Sequence, residues 1–391
     1  MDNQSWISYF RELFKELPLI LAGPVLRHTT PNSVTVWVAL KAACTVELKI
    51  YNTAIAGERI ESCLLSGQRS TVALGEYLHV VAVTACASGY SSPDSSSQLL
   101  QSDQIYAYDL RFSTPQAQIN LQQALNCSTL PDINLSYFPH QKPTFALPPE
   151  QLEHLRMVQG SCRKPHGKGF DALPILDDLI AATAREPRGR PHQLFLTGDQ
   201  IYSDNVAEPT LWIASALGDA LLGWQEQLPI EQHKLARGSL EKQNRTCVPT
   251  DLPPGTRADI ATTQAGFTAG LRNQRHKATS HLFGLGEFYA QYLLAWSPVC
   301  WAVNLPKGQQ LYGDRQSIQQ WNKSRKAIQQ FVQTLPKVRR ALANLPTYMI
   351  CDDHEVSDDW NMNRAWCLRV LARPLGRRVV QNALLSYALF Q

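Results

Sequence analysis

The segment LFLTGDQIYSD, residues 194–204, indicates the fold of the second half of the chain. Its first three residues are apolar and predict a short buried strand. Gly198 then allows a sharp backbone turn, so that Asp199 follows directly after the carboxyl end of that strand. Because ligands bind at the carboxyl ends of the strands in open α/β sheets, Asp199 is a candidate binding residue.

Tyr202 follows Asp199 by three positions, so its phenol can return to the same point in space. A carboxylate and a phenolate together form a hard, anionic oxygen site suited to a divalent or trivalent metal ion. Taken alone, the segment is equally compatible with a turn aspartate and a tyrosine whose ring packs in the core. The rest of the chain has to decide between these two interpretations.

The residues on either side of this segment predict a βαβ unit. HLRMVQGSC at 154–162 has the pattern of a strand that ends in a glycine and a small polar turn. FDALPILDDLIAATARE at 170–186 has helical apolar spacing, and HQLFLTGD at 192–199 is again a strand. A strand, a helix and a strand in this order predict a sheet with parallel strands and helices on its faces. A further strand followed by an acidic turn, TYMICDDHEVSDDWNMN, occupies 347–363.

The first 115 residues predict a different kind of domain. After an amphipathic helix, short alternating segments are separated by clusters of turn-forming residues, of which 88–97 is one. The segments lie at 33–40, 45–51, 76–85 and 103–113. Strands at this spacing indicate a small antiparallel β-sandwich. The expected organisation is an α/β protein with this sandwich at 1–115, a linker at 116–150, and an α/β domain at 151–391 that carries a helical insertion at 205–346.

Composition limits the class of protein. The chain has 391 residues, of which 44% are hydrophobic and 18% charged, as in an ordinary globular protein with a full core. A formal charge of +4 is small for this length and does not suggest a nucleic-acid-binding surface. The nine cysteines are scattered without a CxxC pair, which favours a reducing compartment. Charged residues interrupt the first helix, and no apolar run approaches the ~18 residues of a membrane span. We therefore expect a cytoplasmic protein with no membrane span.

Three strand ends carry polar residues of related chemistry: GSCR at 160–163, GDQIY at 198–202 and CDDHE at 351–355. A parallel sheet brings such turns together at one edge. Carboxylates, a phenolate, a thiolate and an imidazole are typical of a polynuclear metal site, in which Asp199 can bridge two ions. Plain structural alternatives remain, because Cys162 can be a small apolar residue and DDHE a solvated turn or helix cap. His166 and Lys168 are weaker candidates for contact with an anionic substrate.

The order of GSCR, GDxxY and DDHE resembles that of the alkaline phosphatase D (PhoD-like) metallophosphatases. LAGPVLRHTTPNSVTVWVAL, at 21–40, is similar to the opening strands of their β-sandwich domain, so the resemblance extends over residues 20–391. It implies a metallophosphatase-type α/β sandwich of two sheets with helices outside. It also implies a phosphomonoesterase or phosphodiesterase that uses a metal-activated hydroxide for in-line attack.

The resemblance also implies the roles of individual residues. Cys162, Asp199 and Tyr202 would bind an iron-type ion, and Asp199 would touch a second ion, iron, calcium or another divalent metal. Asp353 stands where related phosphoesterases carry a metal-binding asparagine. His354 stands where they carry the histidine that assists the phosphate, and Arg163 would steady the phosphoryl oxygens. The expected partner is a small phosphoester or phosphodiester, and the sequence gives no prediction of oligomeric state.

One part of the family pattern is missing. Members of the family carry metal-binding histidines well downstream of DDHE, whereas here 36 residues follow Glu355 and none is a histidine. The chain is therefore interpreted either as a fragment or as a degenerate homologue. The abrupt end in an apolar helix favours a fragment. The alternative to a hydrolase is a non-catalytic scaffold or interaction protein that keeps the fold and binds metal poorly. A phospholipase-like or other diesterase activity remains a third alternative.

Overall fold

The computed structural model of the chain describes residues 3–87, 99–115, 117–230, 247–268 and 278–391. The predicted turn cluster at 88–97 lies outside the described residues. So do two parts of the predicted helical insertion, 231–246 and 269–277.

The described residues form nine α-helices and twelve β-strands. The helices are α1 (Asn3–Glu16), α2 (Leu121–Leu125), α3 (Ile175–Thr183), α4 (Glu208–Leu222), α5 (Ala258–Thr263), α6 (Leu285–Trp296), α7 (Arg315–Asn344), α8 (Arg364–Val370) and α9 (Pro374–Phe390). The strands are β1 (Ile20–Thr30), β2 (Ser33–Leu40), β3 (Thr45–Ala54), β4 (Arg59–Ser70), β5 (Val72–Gly75), β6 (Leu78–Cys86), β7 (Ile105–Ser113), β8 (Gln118–Asn120), β9 (Thr144–Ala146), β10 (Met157–Gly160), β11 (Gln193–Leu196) and β12 (Thr347–Met349). Short 3-10 turns also occur, one of them at Asp353–Glu355.

Strands β1 to β9 form an antiparallel sheet. Its strand order is β1-β2-β6-β4-β3-β7-β8, with β5 paired to β6 and β9 paired to β7. The link between β4 and β6 is a single residue pair, Ser66 with Cys86, whereas β3 pairs with β7 along its length. The predicted antiparallel strands are therefore present, and their hydrogen bonds connect them into one sheet.

One hydrophobic core lies inside this sheet. Alternate residues of β2 and β3, such as Val36 and Leu48, are fully buried because successive side chains of a strand point to opposite faces. These residues share a core with Val83 of β6 and Tyr108 of β7. The two halves of the sheet therefore curve around a common interior. The strand pairing does not divide these strands into the two packed sheets of the predicted sandwich.

The segment predicted as a linker adds to the same sheet. Its strands β8 and β9 both pair with β7, and helix α2 is capped by the Asn120 side chain. Leu135 and Phe138, which lie between α2 and β9, are buried. Residues 117–150 are thus packed against the antiparallel sheet, because their apolar side chains complete its core.

The first helix packs on the helical region that follows the site segment. Phe10 and Phe14 of α1 are buried at helical spacing, as the amphipathic pattern predicts. The rings of Trp6 and Trp212 meet edge-on with centroids 4.4 Å apart, which joins α1 to α4. Helices α4, α6 and α7 lie within residues 205–346, the range that was predicted as a helical insertion.

Strands β10, β11 and β12 form a second, parallel sheet with β11 in the centre. Val158 aligns with Leu194, which in turn aligns with Thr347. Helix α3 lies between β10 and β11 in the chain, so the βαβ unit is confirmed. The carboxyl ends of the three strands therefore lie side by side, although more than a hundred residues separate β11 from β12 in sequence.

A search of the described residues for helices that are long and apolar enough to cross a membrane found none.

Candidate metal centre

Three turns meet at the carboxyl edge of the parallel sheet. The turn after β10 begins with Ser161 and Cys162, and the turn after β11 contains Gly198 and Asp199. The backbone N–H of Cys162 donates to the carbonyl of Gly198 at 3.2 Å, and that of Arg163 donates to the carbonyl of Asp199 at 2.8 Å. These bonds continue the pairing beyond the strands and hold the first two turns together.

Both turns use left-handed backbone conformations. Cys162 has φ 56° and Asp199 has φ 52°, and neither is a glycine. Such a conformation is uncommon for a non-glycine residue and can cost on the order of 1–3 kcal/mol. Gly198 before Asp199 has φ 114°. A Cβ atom at Gly198 would lie 2.3 Å from Cβ of Asp352, so only glycine allows the second and third turns to approach.

Glu355 joins the turns that follow β11 and β12 by hydrogen bonds. It is buried, and its Oε2 accepts hydrogen bonds from the backbone N–H groups of Asp199 at 3.0 Å and Asp352 at 2.9 Å. Its Oε1 accepts from the backbone of Gln200 at 2.7 Å and from Nε2 of Gln391 at 2.9 Å. Burial raises the pKa of Glu355, and these hydrogen bonds oppose that rise. The sequence singled out DDHE but gave Glu355 no role.

Cys162, Asp199 and Tyr202, predicted as ligands of one ion, lie together. The Tyr202 hydroxyl donates to Oδ2 of Asp199 at 3.3 Å, and the Cys162 side chain lies close enough to both residues to influence their pKa values. Burial raises the pKa of Asp199. Burial, together with the Asp199 charge, also raises the pKa of Tyr202 well above its ordinary value. A nearby cation would lower both pKa values, so this donor set suits a metal ion.

Asp353 and His354 bring the third turn to the same place. One ligand atom from each of Asp199, Asp353 and His354 lies within 4.8 Å of the others. Burial raises the pKa of Asp353, and the charge of Asp199 adds to the rise. The two carboxylates thus repel each other in a small space, an arrangement that a cation between them would stabilise.

Asp204 contacts the imidazole of His354. No role was predicted for Asp204 from the sequence. Oδ1 of the buried Asp204 lies 2.8 Å from Nδ1 of His354, and its Oδ2 accepts from the backbone of Asp358 at 3.1 Å. Burial lowers the pKa of His354, but the hydrogen bond and charge of Asp204, helped by Asp199 and Asp353, outweigh burial and raise the pKa to about 9. Asp204 lies five residues after Asp199, in the same conspicuous segment, and its spacing alone did not reveal the contact.

A second group of potential ligands adjoins the first. One ligand atom from each of Asp204, His354 and Asp358 lies within 4.8 Å of the others, and Nε2 of His354 is 3.8 Å from Oδ1 of Asp358. His354 therefore belongs to both groups. The two groups together fit a centre that holds more than one ion, with carboxylate and imidazole donors on either side of His354.

Arg163 lies apart from these groups. Its guanidinium is buried, forms an ion pair with Asp171 at 2.8 Å and lies 4.7 Å from the centroid of the Phe331 ring. Its Nη1 donates to the carbonyl oxygen of Ala295. These contacts occupy the donors of Arg163. They do not support its predicted role at the phosphoryl oxygens, which stays an untested prediction. We leave Arg163 out of the proposed reaction.

The two weaker candidates take different positions. His166 is partly buried, and its Nε2 lies 3.3 Å from Oδ1 of Asn205. Burial, reinforced by the charge of Lys164, lowers the pKa of His166 to about 4, so its imidazole is neutral at physiological pH. Lys168 is exposed on the loop that follows β10. Of these two, only Lys168 is therefore placed to carry a positive charge in solvent near the centre.

Comparison with known proteins assigns the chain to no family. No protein-family model matches the chain, and no curated protein sequence matches it. A solved structure titled "Structure of PhoD" aligns with 95% of this chain and 46% of its own, at 13% identity and a TM-score of 0.39. The chain thus spans less than half the length of that protein.

Proposed function

We propose that this protein is a metal-dependent phosphoester hydrolase. The observation that carries the proposal is the convergence of two predicted metal ligands, Asp199 and Asp353, with the predicted catalytic residue His354, since potential ligand atoms of all three lie within 4.8 Å of one another. The order of the GSCR, GDxxY and DDHE motifs, which resembles that of PhoD-like metallophosphatases, supports the same reaction class.

Each residue of the centre has a proposed task. Cys162, Asp199 and Tyr202 would hold one ion, and Asp353 together with Asp199 would hold a second. Iron with calcium, or other divalent ions, suit this mixture of thiolate, phenolate and carboxylate donors. When bound, the ions neutralise phosphoryl oxygens and lower the pKa of a water molecule from about 15.7 to about 7.

His354 is the proposed general acid. In the metal-free protein Asp204 raises the pKa of His354 to about 9, so the imidazole can hold a proton for donation to the oxygen that leaves phosphorus. Asp204 fixes the ring through Nδ1, and Nε2, which lies 3.8 Å from Oδ1 of Asp358, is the nitrogen that would donate. The phosphate and the alcohol are released without a covalent bond between phosphorus and the protein.

The test is reconstitution followed by hydrolysis. The metal-free protein is loaded with iron and calcium, the bound metal is measured by mass spectrometry, and the hydrolysis of aryl phosphate monoesters and diesters is followed. Asp199→Asn and Cys162→Ala are each expected to lower kcat/KM by at least about 100-fold, because each removes a direct ligand.

Matched controls are available on the surface. Asp178→Asn removes an exposed carboxylate whose partner is Lys337, and Cys86→Ala removes an exposed thiol at the end of β6. Both are expected to keep the wild-type rate. A wild-type protein that binds no metal and hydrolyses neither ester would overturn the proposal in favour of a non-catalytic scaffold.

A further inference from the structure

A cavity of about 470 Å³ lies against one face of the parallel sheet. Val158, Leu194 and Leu196 line it on the side of the sheet, while Leu176 of α3 and Phe331 of α7 line the opposite side. Its volume is in the range of ~300–1,000 Å³ that is usual for small-molecule sites. The walls are thus mainly apolar. Two strands and two helices supply the residues just named, and the loop between β10 and α3 supplies most of the others.

The cavity shares a wall with the candidate metal centre. Cys162 is a proposed metal ligand and also lines the cavity. Lys164 lines the cavity too, and its Nζ lies 5.2 Å from the centroid of the Tyr202 ring. A phosphoryl group held at the metal centre would therefore have the cavity directly beside it.

Gln200 forms part of the cavity wall. The residue is 2% exposed, and its Nε2 donates to the carbonyl of Gly198 at 2.9 Å, which ties the side chain to the turn after β11. The charged pair in the wall, Arg163 and Asp171, is neutralised internally.

We propose that this cavity binds the apolar alcohol portion of the phosphoester substrate. This inference rests on the proposed function. In the reaction, the oxygen of water forms the new bond to phosphorus and the bond from phosphorus to the alcohol oxygen breaks. That oxygen takes the proton of His354, the proton that the attacking water loses restores His354, and the apolar alcohol is the product that the cavity holds. The substrate class is thus a phosphoester of an aromatic or aliphatic alcohol rather than of a sugar.

The first test measures binding without catalysis. Binding of 1-naphthol to the metal-free protein is followed by isothermal titration calorimetry. In Gly160→Leu the added Cβ would have Leu196 Cδ2 at 3.9 Å as its nearest neighbour, so the side chain starts without overlap and fills the cavity. Filling the cavity is expected to weaken naphthol binding by at least about tenfold.

Two further variants complete this test. Gly313→Leu is the control, because Gly313 is exposed and does not line the cavity, and a Cβ added there would meet no heavy atom within 4 Å. It should bind naphthol as the wild type does. Leu173→Trp obstructs the same cavity from the loop side and replaces Gly160→Leu should that variant fail to fold. Absence of binding to the wild type, or unchanged binding in folded cavity variants, overturns the proposal.

The second test separates this inference from the proposed function. The metal-loaded wild type is expected to show a kcat/KM for 1-naphthyl phosphate about tenfold above that for phenyl phosphate, because the second ring adds buried apolar area. Gly160→Leu should abolish that ratio, and Gly313→Leu should preserve it. Hydrolysis of both esters with equal kcat/KM overturns the cavity inference and leaves the hydrolase proposal standing. Naphthol binding without hydrolysis of either ester overturns the hydrolase proposal and the leaving-group role with it.

Discussion

Nδ1 of His354 lies 2.8 Å from Oδ1 of the buried Asp204, although 150 positions separate the two residues in the chain. The contact joins the turn after β12 to the segment that follows β11. Because one partner is a buried carboxylate and the other an imidazole, it controls both the orientation and the charge of the ring.

Replacing Asp204 by asparagine should therefore change His354 without removing it. In Asp204→Asn the pKa of His354 is expected to fall from about 9 toward its ordinary 6.5, since the charge that stabilises the imidazolium is lost. The change should lower kcat by about 10–100-fold, the usual cost of removing a residue that orients another. An NMR titration of the metal-free protein, with His354→Gln used to assign the signal, measures the pKa. An unchanged pKa would contradict the prediction.

Glu355→Gln should destabilise the protein. Each carboxylate oxygen of Glu355 accepts two hydrogen bonds, and the amide nitrogen of glutamine would face two of those donors. Unsatisfied buried donors cost about 1–3 kcal/mol each, so we expect a loss of about 2–4 kcal/mol in the free energy of unfolding. Urea denaturation measures it. Glu153→Gln, at an exposed position, is the control and should stay within about 0.5 kcal/mol of the wild type.

Gly198→Ala should also destabilise the protein. The new Cβ would overlap Cβ of Asp352, and φ at this position is 114°. Strain and overlap together are expected to cost about 3 kcal/mol or more and to lower metal affinity. Thermal unfolding compared with Gly313→Ala, whose added methyl group meets no heavy atom within 4 Å, provides the measurement. Equal stability of the two variants would show that the turns do not need this close approach.

Metal binding should stabilise the folded chain by mass action. A ligand present at 100 times its Kd adds about 2.7 kcal/mol to the free energy of unfolding. Addition of iron and calcium to the metal-free wild type, and to the surface control Asp178→Asn, should raise Tm. The rise should be abolished in Asp199→Asn, which removes the bridging carboxylate. Chelation should reverse it, and an equal rise in all three proteins would argue against metal binding at this site.

Asp219 in α4 gives stability a defined pH dependence. Burial raises its pKa to about 7, against the opposing hydrogen bond from Gln225. The folded state therefore keeps a proton between pH 4 and 7 that the unfolded state releases, so this group's contribution falls as pH rises through that window. Asp219→Asn has no proton to lose. The free energy of unfolding of Asp219→Asn minus that of the wild type should increase by about 1–3 kcal/mol as pH rises from 4 to 7. Above pH 7 this difference should change little. A constant difference in urea denaturation across this range would contradict the assigned pKa.

Local sequence patterns were sufficient for the three parallel strands and for some of the helices. Apolar runs that end in small polar turns predicted β10, β11 and β12, although these strands are not buried on both faces, since Met157 of β10 is exposed and Phe195 of β11 is only partly buried. Helical apolar spacing similarly predicted α1 and α3. Residues 116–150 were predicted to be a linker. Their strands were not recognised because β8 and β9 have only three residues each and form only through pairing with β7.

The site shows the same division between local pattern and tertiary contact. GSCR, GDQIY and DDHE could be recognised from residue type and position after a strand, and the structure brings their cysteine, tyrosine and acidic residues together. The contacts made by Asp204 and Glu355 could not be predicted, because each depends on a residue that is distant in the chain or on another turn's backbone. Arg163 was expected at the phosphoryl group, but its guanidinium pairs with Asp171 on the same loop and donates to the distant carbonyl of Ala295.

The sequence by itself thus determined which side chains end the three strands and which chemistry they can support, since both follow from short-range patterns. Only the tertiary structure decided that the LFLTGDQIYSD segment is held by Glu355 from the next turn, and that Asp204 within it holds His354. The reason is physical: a buried carboxylate is stable only where donors surround it, and those donors come from parts of the chain that folding alone brings together.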